Sequence, residues 1–573
     1  MTLRAGDAWL VDRPGLYEDD EWTFILDEAD YPGGIEFKFV LERSAWMQGV
    51  NLALQPQAGG DYAFDEGDVA FAPNEELVVD NSFLQRLLFP TRFDEDHIYD
   101  VVIVGSGMGG GILADQLSDQ GATVLVLEAG SYLFPTHLGN LPRKHSVGRF
   151  DKHLWNLYEN FKVENYAPGS EFKGGQAFSL GGRSVFWGGL IPRMTWWELE
   201  LWPQALRWYL ESTGYQRAEA LMNRAALLSS PYRDSVRRFL REQLPDFEHV
   251  DAPVAVDYHA PTSALLSGGV FSTADLMTES QLTPGATGNQ QLWINLNHVA
   301  VELLTEQGKV TAVVAHDLVA NRQRTFLGRD YVLAAGTIES AKLAKMSQLG
   351  DPNGKIGLGI TDHPIFYVHF TVPVGAALYS ASDSSKTLSQ HRQASLDAHP
   401  YNLVIELGAD LNQGRYVDDD IFEAHQAGKG QNMLCELVFL LNSSLIDANE
   451  LNHQGPAYVK PQLNMARREV SQALLNEMQD HASRIIGALG GQPIGRPDIA
   501  LAEADLGGVA HEVGTLRLAG DGSGVLNEDL RFLTSDNLYV CDNSVFPSSP
   551  AANPSLTLAA LAIRLAEHLA AQA

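Results

Sequence analysis

The stretch Tyr99-Asp-Val-Val-Ile-Val-Gly-Ser-Gly-Met-Gly-Gly-Gly-Ile-Leu-Ala-Asp-Gln-Leu117 decides the fold of this chain. Val101 to Val104 is a short apolar run, which is typical of a strand buried on both faces. Gly105, Gly107 and Gly110 then fit the pattern G-x-G-x-x-G, and a helical pattern of apolar residues follows. A second strand, Thr123 to Leu127, ends at Glu128. Strand, glycine turn, helix, second strand and terminal acid occur in the order of a dinucleotide-binding unit.

Each position in this turn has a physical task. Gly105 permits a tight turn out of the strand, Gly107 lets the backbone approach a pyrophosphate, and Gly110 allows the helix to pack closely on the strand. The first turn of the helix offers N–H groups to phosphate oxygens, and Glu128 can accept hydrogen bonds from a ribose diol. The residues predicted to bind the dinucleotide are Gly105, Gly107, Met108, Gly109, Gly110 and Glu128. The motif by itself does not separate FAD from NAD.

The composition describes a large, acidic globular protein. The chain has 573 residues, 45% of them hydrophobic, and a formal net charge of −32 at pH 7. Such a charge argues against nucleic acid and anionic membranes as partners, and no apolar run reaches the roughly 18–20 residues of a membrane span. The amino terminus lacks the apolar core of a signal peptide. With two cysteines, Cys435 and Cys541, expected as thiols, we predict a cytoplasmic protein without a metal site. Homo-oligomerisation stays open.

The order of patterns predicts an α/β fold with three parts: a Rossmann-like nucleotide-binding domain, a substrate-binding domain built on an antiparallel sheet, and a small amino-terminal β-sandwich. The predicted regions are 1–90 for the β-sandwich, 98–195, 291–365 and 501–573 for the nucleotide-binding domain, 196–290 for a helical substrate insertion, and 366–500 for the substrate-binding domain. Within the substrate-binding domain, the polar stretch Ser382–Gln393 is predicted to be a loop or lid.

The amino-terminal region consists of short runs rich in β-branched and aromatic residues, separated by glycine-containing turns. The segment Phe37-Lys38-Phe39-Val40, with Trp46, Tyr62 and Phe64, loosely resembles starch-binding-type carbohydrate modules. The alternative is a packing or oligomerisation domain whose aromatic residues form its core.

Two further glycine-containing segments are predicted to reach the same ligand. Gly181-Gly-Arg-Ser-Val-Phe-Trp-Gly-Gly189 places glycines around a serine and a tryptophan, as expected where backbone lies against a flat ligand. A turn between two structural elements is the alternative. The run Asp330 to Ser340 repeats the order strand, tight turn, helix, and it can return to the same sheet with Ala335 and Gly336 facing the ligand.

The carboxyl-terminal region carries the candidate base, His511. An imidazole near its unperturbed pKa of about 6.5 suits removal of an alcohol proton. Asn553 and Pro554 precede a helical pattern, in which Pro554 fits the first helical position and Asn553 fits a cap. The positive end of that helix, at Pro554 and Ser555, suits a developing anion. One side-chain oxygen of Asn553 cannot both cap the helix fully and bind substrate, so these two assignments compete.

Taken in this order, the segments resemble the glucose–methanol–choline (GMC) oxidoreductase family. The resemblance covers about residues 99–365 and 500–572, and its Trp-Gly-Gly form is similar to the pyranose-oxidase-like branch. The motifs that carry it are Gly105-Ser-Gly-Met-Gly-Gly-Gly, Glu128-Ala-Gly, Gly181-Gly-Arg-Ser-Val-Phe-Trp-Gly-Gly, Leu333-Ala-Ala-Gly-Thr-Ile-Glu-Ser, Gly359-Ile-Thr-Asp-His-Pro, His511-Glu-Val-Gly-Thr, Asp542-Asn-Ser-Val-Phe-Pro and Asn553-Pro-Ser-Leu-Thr.

The resemblance implies FAD as the cofactor, His511 as the catalytic base and Asn553 as its partner beside the flavin. A reduced flavin carries negative charge along its N1–C2=O edge, which the helix beginning at Pro554 and Ser555 would stabilise. Pyranose oxidase links its flavin covalently to a histidine, and Phe186 at the matching position here implies non-covalent FAD. The remaining implied cofactor contacts are Gly182, Ser184, Trp187 and Gly188 along the cofactor, Val299 near adenine, and Asp542 near the ribityl chain.

We therefore expect an FAD-dependent alcohol or sugar oxidase or dehydrogenase that oxidises a CH–OH group of a small alcohol, sugar or glycoside. Hydride would pass to flavin N5 while His511 takes the hydroxyl proton, and O2 or a quinone-type acceptor would receive the electrons. The alternatives are lyase, isomerase or photodecarboxylase chemistry on the same flavin fold, NAD at the same turn, and a non-enzymatic protein that binds a glycan or a partner.

Overall fold

The computed structural model describes most of the chain. The described residues are 1–573 without 6–7, 19–20, 42–44, 48–50, 56–59, 65–68, 70–82, 93, 95, 135, 139–169, 223–229, 257–268, 283–290, 409–420, 422–423, 425–426, 429, 454, 456, 458–460, 509 and 573. For 8–12, 18, 28, 41 and 45–46 the description is limited to the backbone.

The strands of the described residues belong to three larger sheets and several two-stranded pairs. In chain order they are β1 Thr2–Ala5, β2 Ala8–Pro14, β3 Leu16–Glu18, β4 Glu21–Thr23, β5 Ile35–Leu41, β6 Ala45–Trp46, β7 Leu52–Leu54, β8 Ile98–Val104, β9 Val124–Leu127, β10 Phe247–Asp251, β11 Leu292–Asn295, β12 His298–Glu306, β13 Lys309–Asp317, β14 Arg322–Leu333, β15 Ile365–Pro373, β16 Ser385–His391, β17 Tyr401–Leu407, β18 Asn432–Leu441, β19 Ser443–Ser444, β20 Glu450–Asn452, β21 Gln462–Asn464, β22 Gln492–Pro493, β23 Ala502–Glu503, β24 Leu538–Val540 and β25 Ser548–Ser549.

The α-helices of the described residues cover or connect these sheets. They are α1 Phe83–Leu88, α2 Met108–Asp119, α3 Gln204–Tyr209, α4 Tyr215–Leu221, α5 Pro231–Gln243, α6 Thr273–Leu282, α7 Gly336–Met346, α8 Gln472–Ala488 and α9 Ser555–Ala570. A short π-helical turn, Leu210–Gly214, joins α3 to α4, and 3-10 turns cover Glu28–Asp30, Gly182–Val185 and Asn543–Val545.

The amino-terminal region forms an antiparallel sheet in the order β2-β1-β5-β6, with β7 beside β5, and a separate β3–β4 hairpin. Phe37 and Phe39 are buried in its core, where their rings lie 5.5 Å apart and Phe64 contacts Phe37 at 5.4 Å. These aromatic side chains pack against one another, which favours the packing interpretation over an exposed carbohydrate platform. The β-sandwich itself stays a prediction.

The central sheet of the molecule draws on strands that are far apart in the sequence. Its order is β11-β9-β8-β14-β13-β12, with β24 beside β14. Val104 of β8 pairs in parallel with Leu127 of β9 and with Leu333 of β14, and Leu333 pairs with Val540 of β24. Because parallel strands end at the same edge, the glycine turn after β8, the turn after β14 and the residues after β24 meet there.

The second large sheet is antiparallel, in the order β10-β16-β17-β18-β15-β22, with β23 beside β15. One face packs on α5 and α8 through a shared apolar core. On the other face, Leu190, which follows the glycine-rich segment 181–189, packs with Ile365, Leu388, Val404 and Leu440. This face is therefore the one that packs against the end of the glycine-rich segment.

The prediction of a loop or lid over Ser382–Gln393 is wrong, because Ser385–His391 forms β16 inside this sheet. Its polar side chains have partners there: Ser389 Oγ lies 2.7 Å from His249 Nδ1, and Lys386 Nζ lies 2.9 Å from Glu406 Oε1. The sequence of such a strand is as polar as that of a loop, because its polar side chains bond to neighbouring strands instead of to water. The predicted helical insertion 196–290 also supplies an edge strand, β10.

Candidate active site

The glycine turn has the geometry that its sequence predicts. Gly105 has φ +100°, and a side-chain carbon on it would fall 2.5 Å from the carbonyl oxygen of Ala334. A carbon on Gly109 would fall 1.9 Å from Cys541 O, and one on Gly110 2.1 Å from Gly105 O. Gly107 differs, since a carbon there would meet no protein atom within 4 Å. The backbone at Gly107 therefore faces open space beside the first turn of α2, as a phosphate group requires.

Glu128 lies at the end of β9 and is buried, with 6% of its surface exposed. Its Oε2 accepts from the Ser106 backbone N–H at 3.0 Å and from the Ser106 hydroxyl, and its Oε1 accepts from Gly130 N–H at 2.8 Å. Burial raises the pKa of this carboxyl group. Glu128 thus also fixes the glycine turn, a role that the sequence did not indicate. Val299 lies beside it, because His298 N–H donates to Glu128 O at 2.9 Å.

The glycine-rich segment 181–189 lies directly against this turn. A side-chain carbon on Gly182 would fall 3.3 Å from Gly107 Cα. Ser184 is buried and its hydroxyl is bonded within the protein, to Gly181 O at 2.6 Å and to Thr273 N–H at 3.0 Å. Trp187 donates from Nε1 to Phe271 O at 2.9 Å, and Gly188 is exposed. The hydroxyl of Ser184 therefore stabilises the turn, while Trp187 is half-buried and Gly188 is exposed.

The side chains of Phe186 and Asp542 are both buried and contact other parts of the protein. Phe186 is buried against Phe134, with ring centroids 5.7 Å apart. Asp542 Oδ2 accepts from Gly336 N–H at 3.0 Å and from the Ser340 hydroxyl, while Oδ1 accepts from Ser544 N–H at 2.9 Å. Burial raises the pKa of Asp542. Asp542 therefore ties the end of β24 to the start of α7, next to Ala335, which is only partly buried.

His511 forms a pair with His363, a residue to which the sequence assigned no role. His511 Nδ1 lies 2.9 Å from His363 Nε2, and His363 Nδ1 lies 2.6 Å from Pro550 O. A carbonyl oxygen only accepts, so His363 Nδ1 carries the hydrogen. Burial lowers the pKa of His363 to about 4, so its neutral Nε2 accepts from His511 Nδ1–H.

The tautomer of His511 follows from this chain of hydrogen bonds. Burial, His363 and the positive charge of Arg183 lower the pKa of His511 well below its usual value. A neutral imidazole that donates from Nδ1 keeps a lone pair on Nε2. His511 is therefore oriented as a proton acceptor at Nε2.

Asn553 lies on the loop that contains Pro550, so the bond from His363 to Pro550 O links the two catalytic candidates. Asn553 is partly buried, and its side chain makes no hydrogen bond to any residue that the structure describes. The prediction that it caps the helix is wrong, because α9 begins at Ser555 and Pro554 occupies the capping position without a side-chain hydrogen bond. Pro554 is therefore not the first helical residue, and the amide of Asn553 is available to a substrate oxygen.

The same region carries the family signal. The family model described as GMC oxidoreductase matches residues 449–562, which include both His511 and Asn553. The carboxyl-terminal part of the chain is therefore similar to the GMC oxidoreductases.

Two of its curated relatives match most of the chain, and a third matches about half of it. It is 26% identical over 526 residues to a C-glycoside 3-oxidase of Microbacterium trichothecenolyticum, covering 82% of this chain and 96% of that protein. It is 24% identical over 529 residues to a paromamine 6'-oxidase of Streptomyces fradiae, covering 83% and 92%. An oxygen-dependent choline dehydrogenase of Xanthomonas axonopodis pv. citri is 23% identical over 335 residues, or 49% of this chain and 57% of that protein.

The loops that carry His511 and Asn553 are held by charged residues to which the sequence assigned no role. Arg183 contacts Glu512 and Ala510 on the loop of the base. Glu198 accepts from Ala552 N–H at 2.7 Å on the loop of Asn553, and burial raises the pKa of Glu198. Each joins segments more than 300 positions apart, so no local pattern could have revealed them.

Three further findings concern the thiols, the candidate metal ligands and the apolar character of the described helices. Cys435 and Cys541 are buried free thiols. No three or more His, Cys, Asp or Glu side chains within the described ranges are grouped to hold a metal ion. No described helix combines the length and apolar character needed to cross a membrane.

Proposed function

We propose that this protein is an FAD-dependent oxidoreductase that oxidises a CH–OH group of a sugar, glycoside or alcohol, with His511 as the base. The observation that carries the proposal is the hydrogen-bond chain from His511 through His363 to Pro550 O, which leaves a lone pair on His511 Nε2. The names of two relatives, a C-glycoside 3-oxidase and a paromamine 6'-oxidase, support a hydroxyl group of a sugar-containing molecule as the reacting group.

FAD fits the residues at the edge of the central sheet. Gly107 faces space that no protein atom fills within 4 Å, beside the N–H groups at the start of α2. Glu128 and Asp542 hold the two turns between which the cofactor would extend. We assign the pyrophosphate to Gly105, Gly107 and Gly110, and Trp187 and Asn553 would lie beside the isoalloxazine ring. Bound FAD would supply the acceptor for the hydride that leaves the substrate carbon.

In this proposal, side chains of the protein bind the substrate hydroxyl group and accept its proton. Asn553 donates its amide N–H to the substrate oxygen and holds it near His511. His511 Nε2 takes the hydroxyl proton as the C–H bond breaks, so the substrate carbon becomes a carbonyl carbon. His511 Nδ1–H remains bonded to His363, which spreads the new positive charge over the pair.

The base is tested with His511→Ala, with His316→Ala as the matched control because His316 is an exposed residue bonded to Asn321. We expect a flavin-reduction rate lowered roughly 10²-fold or more for His511→Ala, in line with general-base catalysis, and an unchanged rate for His316→Ala. Anaerobic stopped-flow absorbance measures the rate, and the spectrum of the resting enzyme measures bound FAD. Equal rates in His511→Ala and wild type would contradict the assigned role.

The substrate class and acceptor need a separate screen. D-Glucose, methyl β-D-glucopyranoside, ethanol and benzyl alcohol are each mixed with the enzyme, with O2 or a quinone as the oxidant. We expect flavin bleaching by at least one hydroxyl compound and a carbonyl product. Product formed in light without any oxidant would instead favour the photochemical alternative, and a colourless purified protein would favour NAD.

A further inference from the structure

Arg183 reaches both neighbours of the catalytic base. Its Nη1 donates to the carbonyl oxygen of Ala510 at 3.0 Å and to Glu512 Oε2 at 2.6 Å. Its Nη2 donates to Glu512 Oε1 at 3.2 Å and to Gly175 O. Ala510 and Glu512 directly precede and follow His511, so one guanidinium group holds the backbone on one side of the base and a carboxylate on the other.

The loop at the base needs such support. Ala510 has φ +61°, a left-handed conformation that is strained for a residue with a side chain. Its conformation turns the Ala510 carbonyl toward Arg183. On the other side of His511, Glu512 is buried with 1% of its side chain exposed, and its backbone carbonyl accepts from the Thr337 hydroxyl at 2.6 Å. A buried carboxylate requires a charged or hydrogen-bonding partner, and the fork of Arg183 supplies it.

Lysine could not reproduce this arrangement. The guanidinium plane presents parallel N–H groups that match the two oxygens of Glu512 and still reach a carbonyl oxygen, whereas an ammonium group is a single point of donation. The identity of residue 183 therefore matters beyond its charge.

We propose that Arg183 is the positioning residue of the base: by bonding Ala510 and Glu512 it fixes the loop so that His511 Nδ1 stays within hydrogen-bond distance of His363. This inference rests on the proposed role of His511. Arg183 thereby joins the glycine-rich segment, which lines the cofactor region, to the loop that carries the base.

Because Arg183 is charged, its contact with the loop of His511 also affects the pKa of His511, which a purely structural residue would not do. The titratable and charged groups around His511 are His363, Arg183, Glu512 and Asp362, and burial together with the charge of Glu512 raises the pKa of Asp362. Arg183 lowers the pKa of His511. Removing the positive charge of Arg183 should therefore raise the pKa of His511, and removing the negative charge of Glu512 should lower it.

The test compares Arg183→Met, Arg183→Lys and Glu512→Gln with the control Arg324→Met. Arg324 also forms a buried ion pair, with its Nε 2.8 Å from Asp317 Oδ2, but this pair joins β14 to β13. Flavin reduction is followed from pH 5 to 9 with the fastest compound of the screen above. We expect Arg183→Met to be roughly 10- to 100-fold slower, with FAD retained, and its acid limb to move up by roughly one pH unit. For Glu512→Gln the acid limb should move down.

The other variants separate geometry from charge. Arg183→Lys should lose rate but keep the wild-type pH profile, and Arg324→Met should lower the melting temperature while rate and profile stay unchanged. The NMR signal of His511 in the enzyme labelled at histidine Cε1, assigned with His511→Ala, gives the same pKa shifts without a substrate. Shifts of equal sign in Arg183→Met and Glu512→Gln, or an Arg183→Met enzyme that behaves like Arg324→Met, would overturn the inference. If His511→Ala itself were fully active, the proposed function would fail instead.

Discussion

The glycine turn after β8 and the loop of His511 are held in place by different kinds of contact. The turn is fixed by close backbone contacts, such as the 2.1 Å at which a side-chain carbon on Gly110 would meet Gly105 O. The loop of His511 contains a non-glycine residue with positive φ and is held by side chains from distant segments, Arg183 and His363. A backbone turn of this kind can be specified within about thirty residues. The tautomer of His511 instead depends on side chains from distant parts of the chain.

The sharpest way to break this comparison is to put a methyl group into the turn. Gly110→Ala forces a carbon against Gly105 O, and overpacking of this kind costs about 1–3 kcal/mol or more. We expect a protein with a lower melting temperature and little bound FAD. Gly107→Ala is the matched variant, because its new carbon would meet no protein atom within 4 Å. It should keep the melting temperature of the FAD-free protein and lower only FAD affinity. Equal melting temperatures of both FAD-free variants would mean that the turn tolerates the contact.

The second prediction concerns the partner of the base. In His363→Leu, His511 Nδ1–H loses its acceptor, so His511 can carry its hydrogen on either nitrogen. We expect flavin reduction to slow by roughly 10- to 100-fold. His363→Gln keeps an oxygen acceptor for His511 and should recover part of the loss. Stopped-flow reduction with both variants measures the effect, and a His363→Leu enzyme as fast as wild type would show that the hydrogen bond does not set the tautomer.

The pH profile of the wild type sharpens the same point. Burial lowers the pKa of His363 to about 4 and places that of His511 well below its usual value. A base with a lowered pKa stays deprotonated as the pH falls, so activity should persist below pH 6.5 and decline only in more acidic solution. Measuring kcat/KM from pH 5 to 9 tests this. A loss of half the activity near pH 6.5 would indicate an imidazole of ordinary pKa.

The smallest effect on activity is expected from a change at Glu198, which contacts the loop of Asn553. Glu198 accepts from Ala552 N–H and from both donors of Thr195, so Glu198→Gln turns an amide NH2 toward N–H groups. We expect kcat to fall by about tenfold through the shifted loop, with the FAD spectrum unchanged. Glu219→Gln is the control, since Glu219 bonds Arg193 at 2.8 Å. A Glu198→Gln enzyme indistinguishable from this control would remove Glu198 from the support of Asn553.

Only part of the site could be predicted from the sequence. Local patterns predicted the strand before Gly105 and the helix after it, and they singled out His511, which is followed by Gly514. His363 could have been noticed, because it lies in the motif Gly359-Ile-Thr-Asp-His-Pro that carried the family resemblance. Arg183 also lies in a quoted motif, Gly181-Gly-Arg-Ser, but its bonds to Ala510 and Glu512 could not be foreseen from the sequence. Glu198 lies in no such motif, and its partner Ala552 is 354 positions away. The two errors, at Ser382–Gln393 and at the cap of α9, share a cause: polar residues were interpreted without knowledge of their partners.

The sequence by itself determined the dinucleotide turn, because backbone freedom at glycine and the periodicity of apolar residues act over a few positions. It also showed the resemblance to the GMC oxidoreductases, whose family model matches residues 449–562. Only the tertiary structure decided which nitrogen of His511 accepts a proton. That choice depends on a carbonyl oxygen at Pro550, an imidazole at His363 and a guanidinium group at Arg183, and only the packing of distant segments brings these groups together.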